Sequence, residues 1–482
     1  MKKKNATPLI ISVSGLRGQV GYSLTPDVVQ CYVFAFAEFL RIQNRDSGGM
    51  EGKTVLVATD GRESGKWIAE EVERGFRAAG VKVLNVGVAA TPTVGFLVKS
   101  LGMPAGVQIT ASHNPNPWNG LKLFNAEGRV IPAASGEKVK RFHNTLKEDG
   151  FIINTNFEEE ESEAEIAAKM AEKAKTSKPM EFQKPHIKAI LKLVDVKAIK
   201  KCGFTVLLDS NHGSGSVLAP VLMKELGCKL IFSNEKEVPD GKFVHTPEPT
   251  EENLREIGPK VPENQADVGF CQDPDADRLA ILAEDGTYVG EECTVALCAE
   301  DLFLAGKKGP IVTNCSTSMM TRDLAAKFGC RYSMSPVGEA NVVDEMIRVG
   351  ALFGGEGNGG PIHPQVGMVR DSFLGMALIL DLMARTGKKI SELASELPQY
   401  AIAKMKADFE RTFLPQLYEE VREKYPDAKA DEQDGLRLTW EKSWVLVRPS
   451  NTEPIIRIIA EAPTQKEAEK ICKAIVKMTK AY

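Results

Sequence analysis

A chain of 482 residues exceeds what one compact core organises, and at roughly 100 to 150 residues per domain it divides into three or four. Its 43% hydrophobic and 26% charged content is that of an ordinary globular protein, which excludes wholesale disorder and a fibrous architecture. Lys plus Arg (61) nearly balances Asp plus Glu (65), giving a net charge of −4, so no global positive field favours nucleic acid and a phosphate site needs local basic groups.

The chain starts with lysines in Met1 to Asn5, then Ile10, Ile11 and Ser14-Gly15, an apolar run too short for a signal peptide. No stretch reaches the roughly 18 consecutive apolar residues of a membrane span. The nine cysteines, at 31, 202, 228, 271, 293, 298, 315, 330 and 472, include no CxxC pair and are odd in number, unlike a disulfide framework or zinc module. A cytoplasmic protein is expected, monomer or homodimer, with no nucleic-acid or membrane partner.

Val55 to Ala58 is an apolar run ending in Asp60-Gly61-Arg62, followed by the helical pattern Trp67, Val72, Phe76 and Ala79, then Gly80 and the apolar run Val81 to Val86: a β-α-β unit. The grammar returns at Phe204 to Leu208, Val217 to Leu226 and Lys229 to Phe232, and again at Ile311 to Thr313 with a helix over Ser318 to Phe328. Such repetition predicts three similar α/β domains with mixed, mostly parallel sheets. The Glu-rich stretch from Glu158 to Met180 reads as a solvated helix or linker, with a docking surface as the alternative. After about residue 395, Phe413, Leu417 and Val421 suit an amphipathic helix, Gly435 to Thr439 and Ser443 to Val447 suit antiparallel strands, and Gln465 to Met478 a closing helix, so a smaller α+β domain ends the chain. The boundaries expected are 1–180, 181–290, 291–395 and 396–482.

Four loops carry chemistry. Val107 to Thr110 runs as a strand into Ala111-Ser112-His113-Asn114-Pro115 and then Asn119-Gly120-Leu121-Lys122, holding a serine at a strand end where its hydroxyl can face a cleft; a capping or turn serine is the alternative. Neither a GxSxG elbow nor a Ser-x-x-Lys surrounds it, unlike the familiar serine hydrolases. Asp273-Pro274-Asp275-Ala276-Asp277-Arg278 sets three carboxylates at alternate positions between β-like runs, hard oxygen ligands suited to Mg²⁺, with a solvated acidic turn as the alternative. An EF-hand fails despite Glu284 at loop position 12, because position 6 is Arg278 rather than Gly and the flanks read as strands. The glycine-rich loop Gly354 to Gly360 offers Glu356 and Asn358 to sugar hydroxyls, and Arg448-Pro449-Ser450-Asn451-Thr452-Glu453-Pro454 gathers a guanidinium, hydroxyls and an amide fit for a phosphate. Either loop could also be an ordinary turn.

Together and in this order, Ser14-Gly15-Leu16-Arg17-Gly18, Thr110 to Pro115 with Asn119 to Lys122, Asp273 to Arg278, Gly355 to Gly359 and Arg448 to Pro454 resemble the α-D-phosphohexomutase family over nearly the whole chain. The resemblance implies transfer of a phosphoryl group between the 1- and 6-positions of a hexose through a phosphorylated Ser112, which is also a metal ligand with Asp273, Asp275 and Asp277. It implies three similar α/β domains and a smaller fourth arranged around a central cleft, Mg²⁺ and a sugar 1,6-bisphosphate activator, with catalytic roles for Lys122, Arg17, Arg278 and His113. Glu356 and Asn358 would position the sugar, and Arg448, Ser450, Asn451 and Thr452 would grip the phosphate that is not reacting.

Two departures bear on the sugar. Asn358 and Gly360 stand where many members carry Ser and His, and Pro336-Val337-Gly338-Glu339 lacks the Gly-His pair of phosphomannomutase/phosphoglucomutase enzymes, more like the archaeal phosphoglucosamine mutases. Asn451 pulls the other way, toward mannose or glucose phosphates. A phosphatase using the same serine, or a non-catalytic sugar-phosphate-binding paralogue, is disfavoured by the separate sugar and phosphate loops and by the intact serine and aspartates.

Overall fold

The computed structural model describes residues 9–12, 15–153, 179–234, 237–450 and 454–482. The first sheet contains β1 (Ile10–Ser12), β2 (Gly15–Gln19), β3 (Thr54–Thr59), β4 (Lys82–Val88), β5 (Ala105–Ile109) and β6 (Trp118–Asn125), in the order β1-β2-β6-β5-β3-β4. Alternation along β3 divides its side chains between two cores: Val55 and Val57 pack with the helices Pro26–Gln43 and Gly65–Ala78, while Leu56 and Ala58 pack with the helix Thr91–Ser100.

The second sheet is β7 (Thr205–Asp209), β8 (Lys229–Phe232), β9 (Val268–Gln272) and β10 (Leu279–Leu282), ordered β10-β9-β7-β8; the third is β11 (Ile311–Asn314), β12 (Tyr332–Ser335), β13 (Phe353–Glu356) and β14 (Gly360–Ile362), ordered β12-β11-β13-β14. One continuous apolar core joins these two units through the helices Glu291–Leu304 and Ser372–Thr386. The fourth sheet, wholly antiparallel, comprises β15 (Ala401–Asp408), β16 (Lys429–Asp431), β17 (Leu436–Thr439), β18 (Trp444–Pro449) and β19 (Ile455–Ala462), covered by the closing helix Gln465–Met478 through Ala468, Cys472 and Ile475. The fold is thus three α/β units with mixed sheets and a smaller C-terminal unit.

The second and third sheets are mostly parallel, with one antiparallel pairing each, whereas in the first sheet β1/β2, β2/β6 and β6/β5 are antiparallel and only β3/β4 and β3/β5 are parallel. The reason is local: β5 returns directly as β6 through residues 110–117, and a direct return makes a hairpin, because a parallel partner needs a long crossover. The same device recurs. Residues 273–278 join antiparallel β9 and β10, 357–359 join β13 and β14, and 450–454 join β18 and β19. The serine, aspartate and glycine-rich loops are therefore hairpin returns, fixed at both ends by their ladders, and Arg448 stands near the end of β18.

The charged stretch from Glu158 to residue 178 lies outside the described residues. All nine cysteines are unpaired, and no helix among the described residues is long and apolar enough to cross a membrane.

Three units meet at one buried side chain. His186 Nε2 lies 2.8 Å from the Asp371 carboxylate and Nδ1 3.1 Å from the Thr93 hydroxyl, with Phe96 stacked on the ring and Phe373 against its edge. A carboxylate only accepts, so the Nε2 proton points to Asp371 and Thr93 donates to Nδ1. His186→Leu keeps the volume but leaves a buried carboxylate short of a donor, so stability should fall by about 2 to 3 kcal/mol. Denaturant unfolding measures it, and an unchanged midpoint would mean the junction does not hold the units together.

Candidate active site

Ser112 sits in the 110–117 return with φ of 53°, a left-handed conformation that costs a side-chain-bearing residue about 1 to 2 kcal/mol. The surroundings impose it. Its N–H donates to Thr110 Oγ1 at 2.8 Å, and Thr110 in turn donates to Asp60 Oδ2 at 2.7 Å. Arg62, paired with the same Asp60 oxygen at 2.9 Å, donates to the carbonyls of Ser112 (2.6 Å), Asn114 (2.7 Å) and Trp118 (3.1 Å). The Phe243 ring of the second unit covers that guanidinium, 4.8 Å from ring centroid to Cζ. Asp60-Gly61-Arg62 reads in sequence as a strand-ending turn, yet it is the frame that aims the serine.

Ser112 Oγ lies 3.3 Å from Asp273 Oδ2 and 3.3 Å from His113 Nδ1. Burial, then the charges of Arg278 and Arg17, push the His113 imidazole down to about 2, so the ring is neutral. Arg17 donates to Asn114 Oδ1 at 3.1 Å, and its guanidinium is held below its ordinary value by burial.

Opposite stands the 273–278 return. Ala276 at φ 55° reverses the chain, and Asp273 Oδ1 accepts from the N–H groups of Asp277 and Arg278, both at 3.1 Å. The three aspartates are fully buried, with ligand oxygens within 4.8 Å of one another. Burial and the neighbouring Asp275 and Asp277 raise the Asp273 carboxyl well above its usual range. For Asp277 burial acts the same way, but Arg370, Lys122 and Arg278 outweigh it and hold the group ionised.

Lys122, on β6, reaches Asp275 Oδ2 at 2.9 Å and Asp277 Oδ2 at 2.8 Å. Burial opposes its charge, and the two aspartates prevail, so the ammonium is held above its ordinary value. Thr91 donates to Asp275 Oδ2 at 2.7 Å, and Arg370 Nη2 to Asp277 Oδ2 at 2.7 Å. Every donor takes Oδ2, leaving Asp275 Oδ1 and Asp277 Oδ1 buried without a hydrogen-bond partner. Carboxylate oxygens converging with two lone acceptors are the donor set of a hard divalent cation, and Mg²⁺ fits it. Arg278 Nη1 binds Glu248 at 3.2 Å, and its Nε is 3.8 Å from Asp273.

The 357–359 return rests directly on the metal loop: Leu279 N–H donates to the Gly359 carbonyl at 2.9 Å. A Cβ on Gly359, at φ 82°, would lie 2.2 Å from the Leu279 carbonyl oxygen, so no side chain fits there. Glu356, expected to receive sugar hydroxyls, is already engaged. Oε1 accepts from Asn314 (2.8 Å) and from Gly338 N–H (3.1 Å), and Oε2 from Arg370 (2.8 Å) and Asn358 (3.4 Å). The unpartnered buried atom of this loop is Asn358 Oδ1.

In the fourth unit, Arg448 Nη2 lies 3.2 Å from Asp434 Oδ1, while Ser450 is buried, donates its N–H to the Ile455 carbonyl at 2.9 Å, and accepts at its own carbonyl from Arg411. Ser14, Asn451 and Thr452 lie outside the described residues. The fold therefore brings Ser112, His113, Lys122, Asp273, Asp275, Asp277 and Arg278 into one cluster with Arg17 beside it, whereas Arg448 pairs with Asp434, and Ser450 with Ile455 and Arg411, in the fourth unit. Arg62, Arg370 and Arg411 escaped the sequence reading, since a lone arginine outside a motif carries no local mark of its partner.

Comparison with known proteins assigns the same four parts. Models of the phosphoglucomutase/phosphomannomutase alpha/beta/alpha domains I, II and III match residues 9–149, 184–286 and 291–400, and that of the C-terminal domain matches 414–478. A Thermococcus kodakarensis protein named phosphoglucomutase/phosphomannomutase is 34% identical over 467 residues, 96% of this chain and 97% of its own. A Methanopyrus kandleri protein named "probable phosphoglucosamine mutase" is 32% identical over 465 residues, 95% of each. The crystal structure of a phosphoglucomutase/phosphomannomutase family protein from Burkholderia thailandensis superposes with a TM-score of 0.77 at 23% identity, covering 98% of this chain and 97% of that one, and shares the fold.

Two substitutions test the site. Arg62→Met strands the buried Asp60 carboxylate and should cost about 3 to 5 kcal/mol in denaturant unfolding; a loss under 1 kcal/mol would remove Arg62 from the frame. Mg²⁺ should raise the melting temperature of the parent but not of Asp275→Asn, whose metal-free melting should stay close to the parent's. Equal shifts in both proteins would place the cation elsewhere.

Proposed function

The chain belongs to the phosphoglucomutase/phosphomannomutase family and is a phosphohexomutase, and from this we propose that it interconverts glucosamine 1-phosphate and glucosamine 6-phosphate through phospho-Ser112. One observation carries the reading: a buried serine hydroxyl 3.3 Å from a three-aspartate cluster that has two uncommitted oxygens. In the working enzyme Ser112 carries the phosphoryl group. A sugar hydroxyl attacks phosphorus, the P–Oγ bond breaks, and the oxygen left on Ser112 is that of the resting serine. The sugar leaves this step as a 1,6-bisphosphate, turns over, and returns its other phosphate to Ser112. The same bisphosphate, added in trace, would serve as activator.

Charge on the transferring oxygens is the dominant cost of such a step. Arg278 and Arg17 are placed to offset it, and Lys122, held protonated by two aspartates, polarises rather than accepts a proton. His113, with Nδ1 3.3 Å from Ser112 Oγ, orients the serine oxygen, and the proton of the attacking sugar hydroxyl ends on that oxygen as the P–Oγ bond breaks. Mg²⁺ held by Asp273, Asp275, Asp277 and the serine oxygen or its phosphate would supply Lewis-acid charge neutralisation. Arg448 and Ser450, with Asn451 and Thr452, grip the distal phosphate, and Asn358 Oδ1 is the free acceptor offered to the sugar.

Glucosamine is favoured by Asn358, by the Pro336 to Glu339 loop, and by relatives such as that of M. kandleri. That loop reaches the sugar site through the bond from Gly338 N–H to Glu356. A phosphoglucomutase/phosphomannomutase is the second reading, favoured by Asn451 and the T. kodakarensis relative. The protein would work in the cytoplasm as a monomer or homodimer.

A panel of the 1-phosphates of glucosamine, glucose and mannose, assayed with trace bisphosphate, should give the highest kcat/KM with glucosamine; a tenfold preference for either other sugar would reverse the assignment. Intact mass of freshly purified protein should show a phosphorylated fraction that Ser112→Ala removes. Phosphate mapped to another serine, with Ser112→Ala still turning over normally, would sink the mechanism.

A further inference from the structure

Asp434, in the turn between β16 and β17, spends its two carboxylate oxygens on two different units. Oδ1 is 3.2 Å from Arg448 Nη2 within the fourth unit, and Oδ2 accepts from the backbone N–H of Val337 in the third, at 2.9 Å. Val337 precedes Gly338, whose N–H donates to Glu356 Oε1 at 3.1 Å. The carboxylate thus links the phosphate-gripping arginine, by an ion pair, to the backbone of the sugar loop's neighbour, by a hydrogen bond. Arg448 Nε is buried and unpartnered, so half of the guanidinium fork is uncommitted. The two side chains are 19% and 18% exposed, so an incoming anion can reach the pair.

We propose that Asp434 is an internal counter-ion that occupies Arg448 until the distal phosphate of the substrate displaces it, while its second oxygen keeps the fourth unit in register with the Val337–Gly338 segment. A carboxylate and a phosphate compete for the same planar fork. Apparent phosphate affinity is reduced by the fraction of molecules in which Arg448 is held by Asp434. The same fraction scales the apparent affinity of every anion that needs Arg448, so the exchange lowers phosphate and sulfate binding alike. Asp434 is a positioning residue: it acts on the substrate only through Arg448. The inference rests on the proposed role of Arg448 as the phosphate grip.

The test uses the full chain and calorimetric titration with inorganic phosphate, glucosamine 6-phosphate and glucosamine 6-sulfate. Asp434→Asn removes the charge and retains an acceptor for Val337, so the Kd for both phosphates should fall roughly threefold to tenfold, the scale of a partly exposed ion pair. The Kd for the 6-sulfate should fall by the same factor, leaving the preference between 6-phosphate and 6-sulfate unchanged. Arg448→Ala should weaken phosphate binding, and in that background Asp434→Asn should bring no gain, as a double-mutant cycle requires. If Arg448→Ala leaves binding unchanged, the grip itself is misassigned and the inference goes with it. If Arg448→Ala weakens binding and Asp434→Asn does not tighten it, the grip stands and the counter-ion role is overturned. Asp434→Ser is the second variant, and loss of fold in both would identify Asp434 as a structural support only, which also overturns the proposal.

Discussion

Three carboxylates delivered by one six-residue return cannot be buried together on their own. Like charges at such separations repel strongly in a medium of low dielectric, and the ordinary outcome is protonation, which would remove the anionic oxygens a cation needs. The second unit does not solve this alone. Lys122 comes from β6 of the first unit and Arg370 from beyond β14 of the third, and each takes the Oδ2 side of its aspartates. Neutralisation therefore demands that three units be docked before the site exists, and the cations, taking Oδ2, leave Oδ1 of Asp275 and Asp277 as lone acceptors. The His186 junction and the contact of Gly359 with Leu279 hold that docking.

The hairpin returns explain how such precision is reached from four separate places in the chain. A loop tied to an antiparallel ladder at both ends has few ways to wander, so a serine, a carboxylate triad and an amide can each be delivered at a fixed spot, while the Arg448 guanidinium comes from strand β18 itself. Polar contacts then join the returns: Arg448 to Asp434, Asp434 to Val337, Gly338 to Glu356, Glu356 to Arg370, Arg370 to Asp277, and Asp277 to Lys122. Phosphate grip, sugar loop and metal loop are thus linked through side chains that are largely buried.

The sequence was most legible where chemistry is contiguous. Asp273 to Arg278 and Thr110 to Pro115 announce themselves within six residues, and Lys229–Phe232 and Gln465–Met478 fall where apolar periodicity puts them. What local pattern could not show is pairing at a distance. Arg62 contacts the Ser112 carbonyl across 50 residues and Arg370 reaches Asp277 across 93, and nothing near either arginine marks it apart from a solvated one. The antiparallel half of the first sheet was missed for a related reason, since strand direction depends on the length of the 110–117 return rather than on the strands themselves. Glu356 shows another thing a motif leaves out: it marks a carboxylate able to meet a sugar, and the structure adds Arg370, Asn314, Asn358 and the Gly338 N–H as that carboxylate's partners.

Ser112 and Ala276, at the tips of the two facing returns, both sit at positive φ, where glycine would rest more easily. At Ser112 the proposed carrier role explains why the strained conformation is kept, since glycine has no oxygen to phosphorylate. The two demands on that position are opposed, and folding alone would decide for glycine. A lineage released from the need for turnover, but still selected for a soluble and durable protein, would therefore drift first at this residue and would gain stability by doing so. Descendants that keep all four units and lack the serine would be well-folded proteins whose architecture still advertises a reaction they no longer perform, and in them this one position, rather than the overall fold, would separate enzyme from relic.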